Sequence, residues 1–142
     1  MTDLFQYGTF TSHSGIRLPW KFDADALTDG DIEVLAEIVS RKFIFSCVYG
    51  IPRGGLRLAK ALLPYCKPDY PTLIVDDVLT TGASIIGMRE NLRACGLNDP
   101  IIGVVIVSRC GDNQGTYSGC PDWVWPIMTV SEWAQCRATG IG

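Results

Sequence analysis

Thr72-Leu73-Ile74-Val75-Asp76-Asp77-Val78-Leu79-Thr80-Thr81-Gly82-Ala83-Ser84-Ile85 is the stretch around which the 142-residue chain is organised. Leu73 to Val75 is a short continuous run of aliphatic residues, which reads as a strand buried on both faces, as in a parallel sheet. Asp76 and Asp77 then stand at its carboxyl end, where open α/β sheets bind ligands. The small and hydroxylated residues Thr80, Thr81, Gly82, Ala83 and Ser84 form a turn that opens into a helix pattern of Ile85, Met88 and Leu92. Such a turn offers backbone N–H groups, hydroxyl donors and a helix N-terminus to one anion. Carboxylates repel phosphate, but they accept hydrogen bonds from vicinal sugar hydroxyls or hold a hydrated Mg²⁺. Acids for a diol beside a turn for a phosphate describe a pocket for a ribose 5-phosphate. The plainer alternative is a strand followed by a Thr- or Ser-capped helix, with the aspartates merely solvated.

Upstream, Phe43-Ile44-Phe45-Ser46-Cys47-Val48-Tyr49 is the preceding apolar run and reads as the first central strand. It leads into Gly50-Ile51-Pro52-Arg53-Gly54-Gly55, whose glycines let the backbone approach a ligand closely. Peptide N–H groups and Arg53 would suit a second, more highly charged anion such as pyrophosphate, and a tight packing turn is the alternative. Leu56 to Tyr65 follows as a helix with Leu58, Ala59, Leu62 and Leu63 inward, and Pro68 and Pro71 bracket a connector. Further upstream, Thr9 to Asp23 reads as irregular structure with one or two short strands. Asp29 or Asp31 is placed to cap a helix running through about Lys42, with Ile32, Leu35, Ala36, Ile38 and Val39 at helical spacing.

Downstream, the helix from Ile85 to Cys95 stops at Gly96, and Ile101 to Val107 is a third buried strand that leads into Ser108 and Arg109. Trp123 to Ile127 is a late strand, and Ser131-Glu132-Trp133 starts a last short helix. Strand, helix, strand, helix, strand is an α/β pattern with a parallel sheet flanked by helices, in one domain.

Composition narrows the classes. Hydrophobic residues make up 47% and charged residues 19%, as in a globular protein, and the net charge of −3 argues against nucleic-acid binding. No apolar run is long enough to span a bilayer, and Met1-Thr2-Asp3 does not open a secretory signal, so a cytoplasmic protein is expected. The six cysteines (47, 66, 95, 110, 120 and 136) form no C-x-x-C pair, and with one histidine they suggest no zinc site. They read as reduced thiols.

Leu73 to Ser84 also resembles the phosphoribosyl-pyrophosphate signature of the type I phosphoribosyltransferases: an apolar strand, two acidic residues, then Thr-Thr-Gly-x-Ser. The loop at Tyr49, Gly50, Ile51, Pro52, Arg53 and Gly54 is similar to the pyrophosphate loop of that family. Thr11-Ser12-His13-Ser14-Gly15-Ile16-Arg17-Leu18-Pro19-Trp20-Lys21-Phe22-Asp23 resembles the opening of the orotate phosphoribosyltransferases, where this part forms a hood over the base. The resemblance implies a single-domain fold of that type, with a hood over residues 1–28 and a core over 29–142. It implies transfer of ribose 5-phosphate from phosphoribosyl pyrophosphate to a nucleobase, orotate or a related pyrimidine, with release of pyrophosphate, Mg²⁺ as cofactor and a homodimer. Asp76 and Asp77 would be catalytic, and would bind the metal directly or through water; Phe22, Arg109, His13 and Trp123 would meet the base. Trp123 enters because Cys120-Pro121-Asp122-Trp123-Val124 is similar to a segment of the purine and xanthine branch; packing is its alternative role.

The chain departs from the orotate pattern at His13 and Tyr49, where that family carries lysines, and at Lys21, where it carries an aromatic. Between Pro52 and Asp76 it has one helix and a short connector, where the family carries extra strands and a mobile catalytic loop. A non-catalytic regulator that binds nucleotide or phosphoribosyl pyrophosphate on the same fold is therefore the rival expectation, and a purine-type phosphoribosyltransferase is the second alternative.

Overall fold

A computed structural model describes residues 5–11, 17–22, 24–108 and 121–129. Its elements are β1 (Phe5–Thr11), β2 (Arg17–Phe22), a 3₁₀ turn (Ala24–Ala26), α1 (Asp29–Lys42), β3 (Cys47–Gly50) and α2 (Leu56–Leu62). A second 3₁₀ turn (Leu63–Tyr65), β4 (Thr72–Leu79), α3 (Ala83–Ala94), β5 (Ile101–Ser108) and β6 (Val124–Thr129) complete them. Strands β3, β4, β5 and β6 lie side by side in that order, all parallel. Strands β1 and β2 form a separate antiparallel pair, so the one or two short strands expected within Thr9 to Asp23 are present as the end of β1 and the whole of β2.

Alternation along β4 divides the core between two faces. Leu73 and Val75 pack with Ala36 and Val39 of α1 and with Leu58 and Leu62 of α2. Ile74 packs with Ile85 of α3 on the other side. With helices against both faces, the strand has no solvent side, which is why its sequence is an unbroken apolar run.

The cap of α1 is Thr28, one residue before Asp29 and three before Asp31, the two aspartates expected there. Asp31 N donates to Thr28 Oγ1 (3.0 Å) and Thr28 N donates to Asp31 Oδ2 (2.9 Å), a reciprocal capping box. Asp31 thus supports the cap from the third helical position, and Asp29 lies within the first turn.

Three expectations are corrected. The apolar run at Phe43 is not a seven-residue central strand. Phe43 closes α1, its N–H donating to Val39 O (2.9 Å), and its ring meets Trp125 edge-on at 5.5 Å. Only Cys47–Gly50 pairs with β4, as one of the two outer strands among the described residues. Leu63 points outward (57% exposed), because the chain leaves the α-helix there for a 3₁₀ turn around Pro64, which has no N–H to continue the ladder. The organising strand also runs past Val75 to Leu79, taking both aspartates inside it.

No helix among the described residues is long and apolar enough to cross a membrane. Cys47, Cys66 and Cys95 carry free thiols, and the other three cysteines and the expected helix at Ser131 lie outside the described residues.

Replacing Thr28 by Ala removes an acceptor for an otherwise unsatisfied helix N–H. Thr28→Ala is expected to cost about 1 kcal/mol, seen as a fall of about 3 °C in the melting temperature; an unchanged melt would show that the box contributes nothing.

Candidate functional site

The site begins with an inequality between the two neighbours of β4. On one side, pairing with β3 ends where Gly50 faces Val75. On the other, pairing with β5 continues from Thr72 opposite Ile101 to Leu79 opposite Ser108. Asp76 and Asp77 therefore lie on a ledge, held by one neighbour and open beside the other.

The chain leaving β3 folds back over that opening. Ile51 N donates to Val75 O (2.9 Å), which fastens the loop to β4 just before the acidic pair. Gly55 N donates to Ile51 O (2.9 Å), so the loop closes tightly on itself. A β-carbon on Gly50 would lie 2.7 Å from Gly55 O, a separation that only glycine permits. Gly54 rests directly against the Asp77 carboxylate, whose oxygens fill the space a side chain there would need. The Pro52–Arg53 peptide is cis, and Pro52 and Arg53 are exposed. Tyr49, next to last in β3, is 39% exposed. The loop from Tyr49 to Gly54 and the acidic pair are thus brought together, through a contact that glycine spacing alone did not reveal.

The two aspartates differ in surroundings. Asp76 follows Ile74 on the α3 face of β4 and is 9% exposed, while Asp77 follows Val75 on the α2 face and is half-buried. Asp77 N donates to Asp76 Oδ1 (2.8 Å) and Val78 N donates to Asp77 Oδ1 (2.8 Å). Burial, reinforced by a hydrogen bond with Asp77 and by the charge of Asp77, pushes the Asp76 carboxyl up from its ordinary 3.8 to about 8. Asp76 therefore keeps its proton near neutrality, and the pair does not carry two full charges.

The third component is the turn after β4. Thr80 and Thr81 are partly buried, and Gly82 takes φ 81°, ψ 0°, the left-handed conformation that favours glycine. Ala83 N donates to Thr81 Oγ1 (3.3 Å), and Ala83 and Ser84 are exposed in the first turn of the twelve-residue α3. The turn therefore carries the chain from the carboxyl end of β4, just past the acidic pair, into the N-terminus of α3, whose first N–H groups suit a phosphate.

Trp123 is not brought to this edge. It precedes β6 at the amino end of that strand, its carbonyl accepting from Gly103 N (2.9 Å), whereas Asp76 is opposite Val105, farther along β5. Its ring fills the notch that Gly103 leaves between Ile85 and Val124, and the Arg89 guanidinium lies over it at 4.8 Å. Packing is what this tryptophan does among the described residues. His13 and Arg109 lie outside the described residues, and Phe22 is placed only as the last residue of β2.

No group of three or more His, Cys, Asp or Glu side chains among the described residues is arranged to hold a metal. A cation here would have the two aspartates as its protein ligands. Hard carboxylate oxygens suit Mg²⁺, which commonly binds through one or two carboxylates and completes its shell with water and substrate phosphate.

No family model matches the sequence, and no curated protein matches it significantly. Its fold does have solved counterparts. An orotate phosphoribosyltransferase from Aeropyrum pernix is similar over 96% of this chain and 93% of its own, with a TM-score of 0.69 and 22% identity. UMP synthase from Leishmania donovani is similar over 97% of this chain and 36% of its own, with a TM-score of 0.74 and 20% identity. The Mycobacterium tuberculosis H37Rv orotate phosphoribosyltransferase in complex with inorganic phosphate is similar over 91% of this chain and 90% of its own, with a TM-score of 0.62 and 15% identity. That enzyme is also known in complex with 5-phospho-alpha-D-ribosyl 1-diphosphate. The chain therefore has the α/β fold of the type I phosphoribosyltransferases.

The raised Asp76 carboxyl has a signed consequence. Between pH 4 and about 8 the folded protein holds a proton that the unfolded chain releases at its ordinary value, so stability falls as pH rises through that window. The slope from this group is at most about 1.4 kcal/mol per pH unit. Asp76→Asn keeps an oxygen for Asp77 N and removes the titration. Its melting temperature relative to the parent protein is expected to rise with pH and to level off above about 8; a pH-independent difference would show that Asp76 titrates normally.

Proposed function

We propose that this chain is a phosphoribosyltransferase that transfers ribose 5-phosphate from phosphoribosyl pyrophosphate to a nucleobase, orotate or a related pyrimidine, and releases pyrophosphate. The observation that carries this reading is the seating of Gly54 on the Asp77 carboxylate, which joins an anion loop to an acidic pair on one ledge. The fold supports it, as does the phosphoribosyl diphosphate complex of the Mycobacterium tuberculosis orotate enzyme.

On this reading the turn from Thr80 to Ser84 holds the 5-phosphate through its hydroxyls and the first N–H groups of α3. Asp76 and Asp77 accept hydrogen bonds from the ribose hydroxyls. Displacement at the anomeric carbon develops oxocarbenium character, and carboxylates beside the ring stabilise that positive charge. The loop from Tyr49 to Gly54, with Arg53, holds the departing pyrophosphate. Mg²⁺, when bound, supplies charge neutralisation to the pyrophosphate. Phe22, Arg109 and His13 are assigned to the base, where a guanidinium fork matches a carboxylate or a pyrimidine carbonyl edge. A homodimer belongs to the same reading.

One observation favours a second reading. The whole connection from Ile51 to Pro71 is the loop after β3, α2, a 3₁₀ turn and a short link, without further strands or a long loop of its own. Closure excludes water and completes a catalytic constellation. The alternative is a protein that binds phosphoribosyl pyrophosphate and regulates a partner without turning it over.

Mg²⁺-dependent pyrophosphate release from phosphoribosyl pyrophosphate, with pyrimidine, purine and pyridine bases in turn, separates the two. Release that requires orotate is expected. The Asp76→Asn, Asp77→Asn double variant should remain folded and lose about a hundredfold or more in turnover; near-normal turnover would remove the acids from the mechanism. No release with any base, while the ligand raises the melting temperature, would establish the regulator.

A further inference from the structure

The two anion subsites are fastened to the acidic pair very differently. The turn from Thr80 to Ser84 follows β4 in sequence and is held by its own local bonds, Ala83 N to Thr81 Oγ1 (3.3 Å) and Ile86 N to Gly82 O (2.9 Å). The loop after β3 comes from another strand. It is tied to the β3 edge of β4 by Ile51 N to Val75 O (2.9 Å), one residue before the acidic pair begins. Its far end then places Gly54 against the Asp77 carboxylate itself. Val78 N donates to one oxygen of that carboxylate (2.8 Å). Asp77 is therefore confined between a main-chain donor behind it and the bare backbone of Gly54 in front.

We infer that Gly54 is a positioning residue for Asp77: the absence of a side chain at 54 sets where the Asp77 carboxylate stands, and so fixes the distance between the pyrophosphate loop and the ribose hydroxyls. The inference rests on the phosphoribosyl pyrophosphate reading and deepens it. A loop that only binds pyrophosphate needs its N–H groups and Arg53, and it tolerates a methyl group facing away from the ligand. A loop that also seats Asp77 does not, because the methyl group of Gly54→Ala occupies the place of the carboxylate and turns it off the ribose. Gly54 does not have the positive φ of Gly82 or Gly96, so alanine there meets no backbone penalty and the conflict lies with Asp77. Misplacement of a positioned group by about 1 Å commonly costs two orders of magnitude.

The test uses the full chain with Gly54→Ala, Asp77→Ala and both together. Inorganic pyrophosphate and ribose 5-phosphate are titrated separately by calorimetry with Mg²⁺ present, and melting temperatures are measured without ligand. In Gly54→Ala, ribose 5-phosphate affinity is expected to fall about tenfold or more, and by clearly more than the affinity for pyrophosphate falls. The melting temperature should fall in Gly54→Ala relative to the parent, and should not fall further when Gly54→Ala is added to Asp77→Ala, because removing the carboxylate makes room for the methyl group. Equal losses for both ligands, or the same fall in melting temperature in both backgrounds, would overturn the positioning role and leave the proposed function standing. A parent protein that binds neither ligand would overturn the proposed function and this role with it.

Discussion

The site depends on where one pair of strands stops. β4 has β5 beside it as far as Leu79 but β3 only as far as Val75, so backbone pairing ends on one side immediately before Asp76. Were β3 to continue, its strand would cover the open side of both aspartates. Were β5 to stop at the same level, nothing would hold the aspartates in extended geometry. The ledge needs both conditions, and the Ile51 N to Val75 O bond marks where the departing loop turns across it.

On the proposed function, this ledge also accounts for how carboxylates and anion-binding loops would coexist. A phosphate placed near two full negative charges would be strongly repelled, the more so where protein lowers the local dielectric. Burial against the α3 face keeps the proton on Asp76 up to about pH 8, which removes part of that repulsion without removing the oxygen atoms. A cation, or positive charge developing on a sugar, favours release of the same proton. On the proposed function, the pair would be mildly charged towards an approaching phosphate and more strongly charged towards developing positive charge. The arrangement costs stability as pH rises, because the folded state must hold or desolvate a group that water would ionise freely.

Much of the core was legible because it follows from local chemistry. The β4 run, the glycine stop after α3 and the β5 run were each placed within one to four residues of their observed ends. An unbroken aliphatic run between turn residues suits a strand covered on both faces, and a glycine closing a helical pattern suits a stop. What was not legible depends on tertiary partners. Phe43 closes a helix instead of opening a strand, its N–H bonded back to Val39 O and its ring packed edge-on against Trp125. Trp123 was read toward a base because its motif allows that, but Gly103 leaves a notch at the amino end of the sheet that this indole fills. No pattern along the chain reports a notch made by a glycine on another strand.

The candidate site shows the same division. Its components were visible as two short motifs, and each one separately suits an ordinary packing turn or a capped helix. What distinguishes them is adjacency across 23 positions of sequence, Gly54 on Asp77, which leaves no trace in either motif except a glycine that turn geometry would already account for. A glycine without positive φ, whose missing side chain is replaced by a carboxylate from another strand, is required by its neighbour more than by its own backbone. That requirement separates a loop that happens to lie near an acidic pair from one built around it. It makes the loop from Tyr49 to Gly54 and the Asp76–Asp77 pair a single structural unit in this chain.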